Sequence, residues 1–305
     1  MSRPARTIAI AADPGIIAFV ALILGAMAMG ASPIFVRFAE VGPFTSAFWR
    51  VFLALPVLWL WARREQMAAP DAGAGLPVDR RALAAIGIAG LLFSGDLIFW
   101  HLAIVNTSVA NATFLATLAP VWVVLGSGLL LGEPVERKVF AGLALGLAGM
   151  ACLIGGTISL NPENLDGDLY GVATSFFFGG YFLAVRRARR NFGSGRTLFL
   201  STIVTSAVLL VFALALEDLV WPLTAWGVAA LVALALISHA GGQGLLAFAL
   251  GYLPAAFSAL VIFVEAVAAA ALGWLILGEA IGLTQFLGAV AIFAGITVAR
   301  PRRAA

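Results

Sequence analysis

The stretch Leu129-Leu130-Leu131-Gly132-Glu133 recurs as Leu275-Ile276-Leu277-Gly278-Glu279, 146 residues further along the chain. Many positions on either side match at the same spacing, and an ungapped match across several apolar segments indicates an internal repeat. The matching pairs are Gly95 with Gly241, Ala103 with Ala249, Ala110 with Ala256, Phe140 with Phe286, Gly142 with Gly288, and Ala148-Gly149 with Ala294-Gly295.

The composition places this repeat in a membrane. Hydrophobic residues make up 62% of the 305 residues, charged residues only 11%, and the mean hydropathy is +1.05. Soluble domains are roughly half apolar and a quarter charged, so the surplus of apolar side chains must face lipid. A bilayer core needs about 20 apolar residues per helix, and about ten such segments follow one another. They lie near 16–38, 43–62, 82–104, 107–131, 138–158, 166–187, 197–216, 225–250, 254–277 and 281–299.

Lysine and arginine indicate the orientation, because cytoplasmic loops are enriched in both. With a cytoplasmic N-terminus and ten spans, the 18 basic residues all fall on the cytoplasmic side except Arg37, at the outer face, and Arg50, inside a helix. For Arg50 we expect a structural role, paired near the outer face. The sequence predicts a protein of the cell inner membrane with both termini cytoplasmic. The apolar run after Arg3 and Arg6 predicts a first helix that is retained, not a signal peptide.

Each copy of the repeat holds five predicted helices. Because five is odd, the second copy enters the membrane from the opposite side, which puts Glu133 in the cytoplasm and its equivalent Glu279 outside. We therefore predict an all-α polytopic membrane protein with a single transporter domain over 1–305, one repeat at about 16–158 and an inverted repeat at about 166–299. Inverted repeats are typical of transporters that open a central site to alternate sides of the membrane.

Other classes of function lack their sequence signals. Cys152 is the single cysteine, and His101 and His239 have no neighbours at metal-ligand spacing, so neither a disulfide within the chain nor a metal site is expected. The sequence has no phosphate-binding loop of the Walker type, no HExxH and no GxSxG motif. We therefore expect neither an enzyme nor a cofactor. Without a basic stripe interleaved with aromatic residues, no nucleic-acid partner is expected.

Several motifs resemble a known family. Met29-Gly30, followed by Phe48-Trp49-Arg50-Val51-Phe52, is similar to the opening of an EamA-type module of the drug/metabolite transporter superfamily, with Met29 in place of a common Trp. Leu118-Ala119-Pro120 and Leu131-Gly132-Glu133 resemble the fourth and fifth helices of that module. The second copy departs from the first at the membrane centre, where it has Glu265-Ala266 in place of Ala119-Pro120.

The resemblance covers nearly the whole chain and is greatest to YddG-type amino-acid exporters. It implies a transporter that exports amino acids, with neutral and aromatic ones preferred, by alternating access between two inverted repeats. The superfamily also exports drugs and carries sugar phosphates and nucleotide sugars. A multidrug or metabolite exporter of the same fold is therefore the alternative, and a channel is a less favoured one.

Glu265 lies near the middle of its predicted helix. A charge at the membrane centre costs roughly 2.5–3.5 kcal/mol on insertion scales, so it needs a reason to be there. Either Glu265 faces a central cavity and meets a substrate amine or a proton, or it makes a structural hydrogen bond to a neighbouring helix. Pro120, at the corresponding place in the first repeat, frees helical carbonyls and acts either as a moving hinge or as a packing kink.

Two pairs of residues share a helix face at i, i+4 spacing, Asp96 with Trp100 and His239 with Gln243. An amino acid needs hydrogen-bond partners for its ammonium and carboxylate, and an apolar wall for its side chain. For each polar candidate an interhelical hydrogen bond is the alternative, and for each aromatic one packing in the core or against lipid. The candidate substrate-binding residues are Asp96, Trp100, His101, Asn111, Phe177, Tyr181, His239, Gln243 and Glu265.

The expected partners are a small-molecule substrate, amino acids, and membrane lipid. The sequence leaves the oligomeric state open, with a monomer among the options. It also leaves uniport and proton-coupled exchange open, because a single central carboxylate permits proton exchange without requiring it.

Overall fold

The computed structural model describes residues 13–68, 80–107, 109–154, 164–278 and 281–301. Within these ranges the regular secondary structure is entirely helical. Nine helical spans are long and apolar enough to cross a membrane, and a tenth apolar helix of 17 residues follows them. They are α1 (Pro14–Phe38), α2 (Pro43–Ala68), α3 (Arg80–Asn106), α4 (Asn111–Leu131), α5 (Arg137–Ile154), α6 (Leu165–Ala188), α7 (Ser194–Leu216), α8 (Ala225–Ala249), α9 (Ala255–Ile276) and α10 (Leu283–Ala299).

The predicted segments coincide with these helices to within a few residues at most ends. The prediction of a multi-pass, all-helical membrane protein is therefore confirmed. The tenth crossing stays a prediction, since α10 is shorter than the other nine spans. Glu279 lies outside the described residues.

The outer surface of the bundle is apolar, as a lipid-facing surface must be. Large side chains such as Leu129 (87% exposed), Leu223 (82%) and Trp226 (83%) project from it. In water such a surface would promote aggregation, whereas in a bilayer it contacts acyl chains at no cost.

Several spans are interrupted near the membrane centre. α1 breaks at Ala31, before Pro33, and α4 breaks at Thr117-Leu118, before Pro120. A proline lacks the amide hydrogen that a helix interior needs, so each break is where a proline is tolerated. α4 ends in the π-helical segment Ser127–Leu131, and α8 contains another over Leu234–Gln243. Such π segments are frequent at functional sites.

α2 and α7 hold each other by reciprocal carboxylate caps. The Glu217 carboxylate, after the end of α7, accepts hydrogen bonds from the Phe44 and Thr45 amides at the start of α2, both at 2.8 Å. The Glu65 carboxylate, in the last turn of α2, accepts from the Gly195 amide at the start of α7, at 3.0 Å. Each carboxylate satisfies helix N-terminal amides that have no partner in their own helix.

The N-cap glycines explain how the carboxylates approach so closely. Gly42 and Gly193 have nearly the same backbone conformation, φ −63°, ψ 164° and φ −62°, ψ 163°. A Cβ on Gly42 would overlap the Glu217 carboxylate, and a Cβ on Gly193 would overlap the Glu65 carboxylate. The same capping geometry therefore occurs twice, at opposite ends of an antiparallel helix pair.

α5 and α10 also cross antiparallel, through four glycines. A Cβ on Gly149 would lie 2.6 Å from the Gly288 carbonyl oxygen, and one on Gly295 would lie 2.6 Å from the Gly142 carbonyl oxygen. Because Gly142 matches Gly288 and Gly149 matches Gly295 in the sequence repeat, each contact is the image of the other. Small residues at such crossings let two backbones approach closely in a membrane.

The helix ends form one basic face and one acidic face. Arg300, after α10, lies 5.2 Å over the Phe19 ring near the start of α1, so the two ends of the bundle meet at the same face, as an even number of crossings requires. The acidic face carries Glu40, Asp168 and Glu217, together with Arg37. The basic face carries Arg63, Arg64, Arg80, Arg81, Arg137, Lys138, Arg186, Arg187, Arg189, Arg190, Arg196 and Arg300.

Candidate functional site

A cavity of about 200 Å³ lies between the membrane centre and the acidic face. Its wall comes from residues 29–33 late in α1, 93–100 late in α3 and 113–119 early in α4, all in the half of the helix toward that face. α2, α6, α8 and α9 complete it. The remaining wall residues are Arg50, Thr174, Phe178, Gln243, Ile262, Phe263, Glu265, Ala266 and Ala269.

Three ionisable side chains line this cavity: Arg50 of α2, Asp96 of α3 and Glu265 of α9. In the described part of the chain, none of the three forms an ion pair within 4.0 Å. The three charged groups therefore share one cavity without pairing directly.

The rest of the wall is mainly apolar. Phe93, Trp100 and Phe178 supply aromatic surface. Gly30 lets α1 approach the backbone of α9 closely, since a Cβ there would lie 2.5 Å from the Glu265 carbonyl oxygen. The cavity thus combines a few charged groups with a broad apolar surface, which is the usual make-up of a small-molecule site.

The structure places four of the candidate residues in the cavity wall, namely Asp96, Trp100, Gln243 and Glu265. Gln243 is 1% exposed, and its Oε1 atom has no hydrogen-bond partner within the described residues. A buried amide oxygen without a partner is costly unless a ligand or water supplies one.

Tyr181 and His239 lie behind the wall rather than in it. Their rings pack on Phe93 with centroids 4.8 and 5.6 Å away, and both side chains are almost fully buried. The Nε2 atom of His239 shares a hydrogen bond of 2.9 Å with the Thr202 hydroxyl of α7. These residues therefore pack against Phe93 without lining the cavity themselves.

His101, Phe177 and Asn111 also lie outside the wall. His101 packs between Phe44 and Trp100, and its Nδ1 lies 2.5 Å from the Leu97 carbonyl oxygen. Phe177 stacks on Phe99 at 5.2 Å in the contact between α3 and α6. The Asn111 amide donates to Asp168 at 3.1 Å, nearer the acidic face.

Pro120 begins the second segment of α4, directly after the break. It is buried beside the cavity residue Ala119. This position suits either a hinge or a kink, and a hinge motion stays a prediction.

Arg50 is the charged cavity residue that the sequence reasoning missed, because its expected role was a structural pairing near the outer face. The available signal was its position as the one basic residue inside an otherwise apolar predicted span. Such residues mark functional sites by default. The reasoning also missed Phe93, Thr174 and Phe178, which carry no charge that would have marked them.

Toward the basic face the bundle is closed where α4 meets α9. Ala119–Gly126 packs against Ala255–Val261 there. The equivalent segments of the repeat, Val109–Ala116 and Phe263–Leu277, make no comparable contact among the described residues. The cavity lies in the resulting gap.

A charged cluster at the basic face links the end of α4 and the end of α6 to the start of α9. We call this cluster of Glu133, Arg186 and Arg190 the basic-face latch. Glu133 accepts hydrogen bonds from Arg186 at 2.7 Å, from Arg190 at 3.3 Å, and from the Ala255 amide at the start of α9 at 3.1 Å. Burial acts to raise the pKa of the Glu133 carboxyl, but these donors outweigh it and hold the pKa below its ordinary value of 4.5.

The same arginine cluster closes several helix C-termini. Arg186 donates to the Leu250 carbonyl at 2.6 Å, Arg190 to the Leu131 carbonyl at 2.7 Å, and Arg189 to the Ala247 carbonyl at 2.8 Å. Burial lowers the pKa of the Arg189 guanidinium. Cations at helix C-termini satisfy free carbonyls and complement the helix dipole.

Comparison with known proteins identifies the family to which this chain belongs. The model of the EamA-like transporter family matches residues 16–155 and again 165–300. An uncharacterized transporter of Archaeoglobus fulgidus is 26% identical over 279 residues, covering 92% of this chain and 94% of that protein. The pseudopaline exporter CntI of Pseudomonas aeruginosa is 27% identical over 233 residues, covering 75% and 80%. A solved crystal structure shares the fold with a TM-score of 0.75 at 22% identity, over 94% of this chain and 96% of that one. The chain therefore belongs to the EamA-like transporter family.

Proposed function

We propose that this transporter exports amino acids, with neutral and aromatic ones preferred. The observation that carries the proposal is a cavity whose lining holds Asp96, Glu265 and Arg50 together with an apolar surface that includes Trp100. A zwitterion needs acceptors for its ammonium, a donor for its carboxylate and contact area for its side chain. Because a methylene in an apolar pocket discriminates by only about 1–3 kcal/mol, the specificity should be broad.

Multiply charged cargo fits this cavity poorly. A sugar phosphate needs several cationic partners, since each uncompensated phosphate charge is costly in a low dielectric. Among the described residues of the wall, Arg50 is the one cation, and two carboxylates lie beside it. These carboxylates would repel a phosphate.

A metabolite exporter with a larger substrate is the second candidate, and the similarity to a pseudopaline exporter supports it. A multidrug exporter would use the same aromatic wall. A channel is less favoured, because the contact between Ala119–Gly126 and Ala255–Val261 closes the bundle toward the basic face.

We infer that transport proceeds by alternating access. The cavity opens in the half toward the acidic face, while the Glu133 latch closes the opposite half. In the repeat, the pieces of α4 and α9 that touch at the closed face correspond to those that separate at the open face. Exchange of these two arrangements would turn the cavity toward the basic face.

The excess of arginine and lysine supports a basic face in the cytoplasm and placement in the inner membrane, with both termini cytoplasmic. An alkaline-phosphatase fusion at the C-terminus should be inactive in intact cells. Activity of that fusion would overturn the ten-helix threading.

Counterflow in proteoliposomes tests the proposed substrate class. Purified protein is offered methionine, phenylalanine, tryptophan, glutamate and glucose 6-phosphate as labelled substrates. Transport of the neutral amino acids above the other two is expected. Preference for the phosphate over all neutral amino acids would contradict the proposal.

A further inference from the structure

Among the residues that the structure describes, Arg50 forms no ion pair. Its Nε atom is buried without a hydrogen-bond partner, and in the described ranges no carboxylate oxygen lies within 4.0 Å of its guanidinium. Its guanidinium lies over the face of Phe93, whose centroid is 5.9 Å from Cζ. A cation–π contact at this distance offsets only a small part of the cost of removing a guanidinium from water.

A guanidinium in the membrane interior calls for an anion. Arginine side chains at such depth pair with acids or with backbone carbonyls, or they line an aqueous path to a ligand. Arg50 lines the cavity together with Glu265 and Asp96, and both acids stay beyond ion-pair distance. An anionic ligand in the cavity would supply the pairing that these acids do not.

Carboxylate is the anion that fits best. The planar guanidinium fork binds a carboxylate with two parallel hydrogen bonds. The buried Nε atom has no other acceptor among the described residues. The neighbouring acids exclude a dianion by repulsion but tolerate a monoanion that carries its own positive group. Asp96 and Glu265 would then accept the ammonium of the same molecule.

We propose that Arg50 binds the substrate carboxylate and so restricts this transporter to substrates that carry one. The inference rests on the proposed function, because it assigns a role within the same cavity. It adds a specificity rule: an amino acid is recognised, and the corresponding amide or amine is rejected.

Competition against labelled phenylalanine in reconstituted full-length protein tests this rule. The competitors are phenylalanine, phenylalaninamide, which lacks the carboxylate, and 3-phenylpropionate, which lacks the ammonium. In the unmodified protein, phenylalanine should compete about ten- to a hundredfold better than its amide, the usual worth of a charge-assisted pair. In Arg50→Gln that ratio should fall to nearly one.

Arg37→Gln is the matched control, since Arg37 is an exposed arginine at the acidic face and outside the cavity wall. It should keep the preference of the unmodified protein. If Arg50→Gln does not fold, Arg50→Lys replaces it. Lysine keeps the charge but not the bidentate geometry, so the preference should shrink without vanishing.

Equal competition by phenylalanine and its amide in the unmodified protein would overturn the inference and leave amino-acid export standing. An unchanged ratio in Arg50→Gln would do the same. If no amino acid is transported, the proposed function fails. The inference is then judged by thermal shift with 3-phenylpropionate, and a shift that does not depend on Arg50, or no shift, overturns it too.

Discussion

The α2/α7 and α5/α10 pairs keep the symmetry of the sequence repeat, whereas the α4/α9 pair breaks it. In the symmetric pairs each contact occurs twice, as the Glu65 and Glu217 caps and the glycine crossings show. In α4/α9 the contact forms at the basic face only. Under the proposed alternating access, the symmetric pairs would form a scaffold that suits both conformations, and the arrangement of α4 and α9 would set the open side.

Substitution of a glycine at the crossing of α5 and α10 should give the largest effect. In Gly149→Val the new Cβ would start 2.6 Å from the Gly288 carbonyl oxygen, so α5 and α10 must separate. Overpacking costs about 1–3 kcal/mol or more, and we expect most of the monodisperse protein to be lost in size-exclusion chromatography.

Gly295→Val should fail equally, because the contact of Gly295 with Gly142 is the image of the contact of Gly149 with Gly288. Gly87→Ala is the control, since a Cβ there meets nothing within 4 Å. A normal yield of monodisperse Gly149→Val protein would show that α5 and α10 do not cross closely.

Glu265→Gln addresses the centre of α9, where the repeats differ most. Loss of the charge should lower amino-acid transport by at least about tenfold, since a hydrogen bond to a charged group contributes roughly 1.5–3 kcal/mol. Membrane expression should stay largely intact. Counterflow with Glu136→Gln, an exposed carboxylate outside the cavity, provides the comparison. Unchanged transport of every substrate from mildly acidic to mildly alkaline pH would assign Glu265 to structure.

The capping carboxylates should show smaller, equal effects. Glu65→Gln and Glu217→Gln each weaken one helix cap, which contributes about 1 kcal/mol. Thermal unfolding in detergent should therefore report similar decreases in Tm for both variants. Asp218→Asn changes an exposed neighbour of Glu217 and should leave Tm unchanged. Clearly unequal decreases for the two caps would argue against a symmetric scaffold.

Removal of the Glu133 charge from the basic-face latch should have the smallest effect on stability, and that effect should depend on pH. The pKa of Glu133 is lower in the closed structure than its ordinary value of 4.5, so its stabilisation is complete above that value. It is lost as the pH falls through the lowered pKa. We expect less than about 1 kcal/mol of change between pH 7 and pH 4.

The difference in Tm between the unmodified protein and Glu133→Gln should therefore shrink toward acid. Glu136→Gln, whose carboxylate pairs with Lys138 at the surface, serves as the reference. A difference that grows toward acid would show that the pKa is raised instead.

The site was only partly predictable from sequence. Asp96 and Glu265 were found because a carboxylate in an apolar span is costly and needs a reason. Trp100 was found because it shares a helix face with Asp96. Tyr181 and His239 pack behind the wall, on Phe93. Helical periodicity predicts which face of a helix a residue occupies, but not how far that residue lies from the cavity. Arg50 was expected to form a structural ion pair. Sequence spacing does not show that the carboxylates of Asp96 and Glu265 stay more than 4.0 Å from its guanidinium.

The sequence by itself determined the apolar spans, the internal repeat and the concentration of basic residues at one face. These follow from local composition and from chain order, since a bilayer requires about 20 apolar residues per crossing whatever the neighbours are. Only the tertiary structure decided which face is closed and which side chains meet in the cavity. The two copies share their pattern, so the repeat alone does not select a face. The choice depends on long-range contacts, such as that of Glu133 with the start of α9, which local pattern does not encode.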